Sequence, residues 1–103
     1  MTPREVLELK MAQLPGLARR PSRYGDAFSY FVGNREIAHF HRDGRMDIRL
    51  TKERIRELKQ EGFLDDRVRT RGASANWAAV RIGQISDVDY AMRLVEEAIR
   101  SNQ

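Results

Sequence analysis

The 103-residue sequence contains no cysteine, which removes structural disulfides, zinc–thiolate centres and cysteine nucleophiles at once. It has only two histidines, His39 and His41, so a zinc site with three imidazole ligands is beyond a single chain. No apolar run approaches the roughly 20 residues that cross a bilayer. Met1 to Arg20 also lacks the basic start and unbroken apolar stretch of a secretory leader. There is no glycine-rich phosphate loop, and Ser22, Ser29, Ser74, Ser86 and Ser101 all lack nucleophile-elbow context. The expectation is one cytoplasmic domain, residues 1–103, with no cofactor and no membrane contact, inclined toward binding rather than catalysis.

Lysine is scarce as well. Of nineteen basic residues sixteen are Arg, and only Lys10, Lys52 and Lys59 are Lys. Against fifteen acidic residues they leave a net charge of +4, which permits nucleic acid or another polyanion as a partner without requiring one.

The pattern along the chain is that of an α+β domain. Thr2-Pro3-Arg4-Glu5 combines an N-cap, a proline at the first helical position and the glutamate of a capping box. Val6, Leu7, Met11 and Leu14 then give an apolar stripe that Pro15-Gly16 closes. Leu17 to Arg23 reads as a weak edge strand interrupted by Pro21. Thr51 is placed to cap a second helix, with Ile55 and Leu58 inward and Gly62 at its end. Asp65 to Ala75 reads as an Arg-rich loop and Asn76 to Ile82 as a strand. Ser86 is positioned to cap a closing helix whose stripe is Val88, Ala91, Met92, Val95, Ala98 and Ile99. The expected architecture is an antiparallel sheet containing a three-stranded meander, with about three helices packed mainly on one face.

The meander lies between Ala27 and Leu50, where Gly33-Asn34 and Asp43-Gly44 suit two-residue hairpin turns. Two-residue loops at both places pair Val32 with Arg35 and Arg42 with Arg45. One face then receives Phe28, Tyr30, Val32, Ile37, His39, His41, Met46, Ile48 and Leu50, and is read as the core face. The other receives Ser29, Phe31, Glu36, Ala38, Phe40, Arg42, Arg45, Asp47 and Arg49.

Two surfaces follow from this register. His39 and His41, two apart on one strand, are close enough to share a metal, but two ligands do not make a site. On a core face they are expected as packing residues, with any third ligand supplied by a loop or another subunit. The open face offers Phe31, Phe40, Arg42, Arg45 and Arg49, joined by Trp77 and by Arg67, Arg69 and Arg71. Arg interleaved with aromatics suits stacking on bases and neutralising phosphates. The same aromatics also suit a homodimer or protein interface.

From Phe28 to Ile99 the chain resembles a bacterial family of small luciferase-like domains. The resemblance is carried by Arg35-Glu36-Ile37-Ala38-His39-Phe40-His41, then Asp43-Gly44, Met46-Asp47-Ile48, a helix ending at Gly62, and Trp77 leading a strand into the final helix. Members of that family tend to carry a further His pair ahead of the tryptophan, where this chain has Arg69 to Ala75 and no His. The resemblance implies little mechanism for so small a domain, which has no flavin or nucleotide fingerprint, and the leading reading is a non-enzymatic binding or interaction module. The layout is also similar to the MmcQ/YjbR-like domains, whose double-wing shape implies nucleic-acid binding. A metal-dependent enzyme built around His39 and His41 is the remaining alternative.

Overall fold

The first helix, α1 (Pro3–Met11), starts where the sequence signals it. The Thr2 hydroxyl accepts from the Glu5 N–H (3.1 Å), and the Glu5 carboxylate accepts from the Thr2 N–H (2.8 Å). Two otherwise unpartnered donors of the first turn are thereby satisfied. Leu7 and Met11 are buried without residual exposure. The computed structural model describes residues 1–22, 28–72 and 75–103. The predicted edge strand and Arg-rich loop run partly outside these residues, at Arg23 and at Ala73 and Ser74.

Six strands follow the order β1-β2-β3-β4-β6-β5 in one antiparallel sheet. They are β1 (Ala18–Pro21), β2 (Phe28–Val32), β3 (Arg35–Phe40), β4 (Arg45–Arg49), β5 (Val68–Thr70) and β6 (Trp77–Arg81). β1 is the predicted edge strand, and Pro21 is its last residue. The short β5 corrects the reading of 65–75 as loop alone. A three-residue edge strand flanked by Arg carries too little apolar alternation to stand out.

Helices α2 (Lys52–Gln60) and α3 (Ser86–Ser101) complete the fold. α2 ends in a Schellman arrangement: Gly62 takes φ of 72°, its N–H donates to the Lys59 carbonyl, and the Phe63 N–H donates to the Leu58 carbonyl. α3 starts differently from the expectation. Ser86 is its first helical residue and caps nothing. Asp87, buried, instead accepts from the Gly83 N–H (2.8 Å) and the Gln84 N–H (3.0 Å). Leu7, Met11, Ile55, Leu58, Val88, Leu94, Val95 and Ala98 from the three helices meet Tyr30, Ala38, Phe40, Met46, Ile48, Ala78 and Val80 of the sheet in one core.

The register of β3 is where the structure departs most from the sequence reading. The β3–β4 loop has three residues, Arg42, Asp43 and Gly44: the His41 N–H donates to the Arg45 carbonyl (2.7 Å), and Phe40 faces Met46. Gly44, at φ of 88°, and the Asp43 carboxylate accepting from the Arg45 N–H (3.0 Å) stabilise this turn. The extra loop residue slides β3 by one position against β4. On the β2 side, Tyr30 faces Ala38 and Phe31 faces Glu36, so Ile37 is a bulge with no residue opposite it. The bulge keeps Ile37 buried and Glu36 outside, while the residues that follow, Ala38 to His41, exchange faces.

Consequently Phe40, expected on the open face, is only 2 % exposed within the core. His39 and His41, expected on the core face, turn away from the helices. Because side chains alternate with period two, one residue of slip is enough to do this.

Candidate metal site in the outer cleft

On the outer face the pairing lines up Ser29, His39, Asp47, Ala79 and Arg69 in a single row across five strands. His39 and Asp47 are directly opposed, so their side chains meet. His39 Nε2 lies 3.1 Å from Asp47 Oδ2. His41, the residue just after β3, brings its Nε2 into close contact with the same oxygen. Ligating atoms of His39, His41 and Asp47 all lie within 4.8 Å of one another. The missing third ligand is therefore Asp47 of the same chain, which the sequence register had assigned to the opposite face.

A fourth side chain stands behind these three. Glu36 Oε1 is 3.2 Å from His39 Nδ1. A neutral imidazole has one N–H, and with that proton on Nδ1 facing Glu36 the Nε2 lone pair points at the cleft. This is the carboxylate–histidine arrangement that orients imidazole ligands in metal sites. The His39 ring is further bracketed by the His41 ring (centroids 5.3 Å apart) and the Trp77 ring (5.4 Å). Beside His39 in the row, Ser29 Oγ is buried with no hydrogen-bond partner among the described residues.

These groups line an open cleft of about 800 Å³, whose wall also includes Arg45, Arg69, Arg71, Asn76 and Trp77. The remaining residues expected on the outer face divide. Phe40 belongs to the core, its ring edge-on to Tyr30 and covered by the Arg4 guanidinium of α1 (4.2 Å). Arg49 is drawn to the C-terminal end of α3, donating to Asn102 Oδ1 (2.5 Å). Arg67 is held by Asp65 (2.6 Å) and Asp87 (3.3 Å) and is not a mobile charge. Phe31 lies outside the cleft under Arg20 (5.2 Å), and Arg42 sits exposed in the hairpin loop.

The fold and site together define a six-stranded α+β domain with a two-histidine, one-carboxylate cluster on the helix-free face of its sheet. The chain belongs to the Luciferase domain family, whose model matches residues 34–98, a span that includes the whole cluster. Comparison with curated proteins and with solved structures found no match. Among the described residues no helix is long and apolar enough to cross a membrane.

Proposed function

We propose that this domain binds a divalent transition-metal ion of the zinc class through His39, His41 and Asp47 and presents it to a ligand in the outer cleft. The observation that carries the reading is the convergence of two imidazole nitrogens on one carboxylate oxygen. Around a zinc ion with bonds of about 2.0–2.1 Å, tetrahedral ligand atoms stand about 3.3 Å apart, close to the spacing of His39 and Asp47. Imidazole and carboxylate donors suit zinc and its neighbours, whereas magnesium and calcium favour all-oxygen sites. Asp47 and Glu36 together carry the two negative charges that a divalent ion neutralises. Three protein ligands leave a coordination position facing the cleft, as Lewis-acid chemistry needs.

A small ligand is favoured over a nucleic-acid strand by the fate of the expected stacking surface. With Phe40 in the core and Arg49 and Arg67 tied elsewhere, Trp77 is the aromatic left in the cleft.

Isothermal titration of the metal-free protein with zinc is expected to give one site per chain. Binding should be lost in His39→Ala and Asp47→Ala. In Glu36→Gln it should weaken by about 10–100-fold, the usual effect of removing an outer carboxylate. Zinc at 100 times its dissociation constant should stabilise the fold by about 2.7 kcal/mol. Equal zinc binding by wild type and Asp47→Ala, or none by wild type, would refute the proposal.

A further inference from the structure

Resting on that metal reading, we infer that the ligand taken by the cleft is a small planar molecule carrying an oxyanion group. Three features of the cleft point to it. The first is positive charge that no carboxylate of the described residues offsets. Arg69 and Arg71 line the cleft, and neither has a carboxylate partner among the described residues, while Arg45 has only Asp43 at 3.8 Å. With Asp47 committed to the metal, the balance in the cleft is cationic. Guanidinium groups favour bidentate pairing with carboxylate or phosphate oxygens.

The second feature is placement. Arg69 faces Ala79, and Ala79 faces Asp47, so two strand spacings of about 4.8 Å separate the Arg69 backbone from the metal ligand. The short Ala79 side chain forms a low floor between them. An oxyanion resting on that floor has one oxygen directed at the open coordination position and the others directed at Arg69. The third feature is Trp77, whose indole beside the His39 ring supplies a flat apolar wall for a ring to lie against. At about 800 Å³ the cleft is within the range of small-molecule sites.

Phenyl phosphate is a suitable probe, and Trp77 is a built-in reporter because it is the only tryptophan in the sequence. Protein loaded with one equivalent of zinc, free of excess metal, is titrated while Trp77 emission is followed. Saturable binding is expected, weakened at least tenfold by Arg69→Ala, with zinc affinity of that variant unchanged. Benzyl alcohol, planar but uncharged, should not bind, and inorganic phosphate should bind more weakly than phenyl phosphate. Zinc binding without any response to millimolar phenyl phosphate would overturn the inference and leave the metal reading standing. Absence of zinc binding would overturn the metal reading itself. The metal-free titration then decides the rest: binding that Arg69→Ala abolishes would uphold the oxyanion site, and no binding would overturn it. Equal affinity in wild type and Arg69→Ala would also overturn it.

Discussion

Replacing Phe40 with alanine tests the register on which the site depends. The ring is 2 % exposed, edge-on to Tyr30 at 6.4 Å and beneath Arg4 at 4.2 Å. Its strand neighbours Met46 and, beyond it, Val80 are fully buried, so little can collapse into the vacated space. Phe→Ala at such a site costs about 3–5 kcal/mol, the lost burial and the cavity acting together. A domain of this size has about 5–15 kcal/mol in total. Each kcal/mol lowers Tm by roughly 4–8 °C. Urea unfolding followed by Trp77 emission measures the loss, with an unchanged m-value confirming that both proteins unfold the same way. Phe40→Leu, at about 1–1.5 kcal/mol, gives the same reading where the alanine variant is too unstable to purify. His39→Ala in metal-free protein should cost no more than about 1 kcal/mol, as expected of a partly exposed side chain outside the core. A Phe40→Ala cost below 1 kcal/mol, with a larger one for His39→Ala, would refute the assignment of faces.

The Asp87 carboxylate provides a pH test. Burial by itself would raise its pKa, but the Gly83 and Gln84 N–H donors and Arg67 outweigh burial and hold it below the usual carboxylate value. Arg54 likewise lowers Glu97 against the opposing effect of burial. Groups with depressed folded pKa values contribute stability that is present above their unfolded pKa and lost as pH falls through the folded one. Tm should therefore hold from pH 7 to about 5 and fall below about pH 4, and Asp87→Asn should flatten that fall. Asp87→Ala, which removes the shared acceptor of the Gly83 and Gln84 N–H groups at the start of α3, should cost about 1–2 kcal/mol at pH 7. Gly44→Ala should cost about 1 kcal/mol, since φ of 88° strains any Cβ although nothing stands within 4 Å of it. Thermal unfolding across pH 3–8 checks all of these, and a flat pH profile for the wild type would count against the Asp87 argument.

Much of the fold was legible because local signals and core contacts agree. The capping box at Thr2, the helix stop at Gly62 and the stripe of α3 each rest on one short stretch, and the structure contains all three. The β4 alternation of Met46 and Ile48 inward is also as expected. What could not be read was how β3 meets its neighbours. Asp43-Gly44 fits a two-residue turn and a three-residue turn equally well, and Ile37-Ala38 gives no sign of a bulge, since both residues are apolar. Each irregularity is a single residue, yet together they decide whether His39 faces Ile48 or Asp47. One signal was available: the outward-facing alternative places Phe40, the largest apolar side chain of β3, in the core instead of two imidazoles. Weighing burial of the phenyl ring against burial of polar rings favours the observed register. The destination of Arg49 had no local signature, because its partner Asn102 lies 53 residues away, whereas Arg67 has one partner close by in sequence, Asp65, and one 20 residues away, Asp87.

The central claim is that His39, His41 and Asp47 form one metal site, and a crystal of the zinc-loaded protein tests it most directly. Anomalous differences collected at the zinc edge should show one peak per chain on the outer face. It should lie about 2.0–2.2 Å from His39 Nε2, His41 Nε2 and an Asp47 carboxylate oxygen, with Glu36 still at His39 Nδ1. No peak at stoichiometric zinc, or a peak away from these three side chains, would contradict the account.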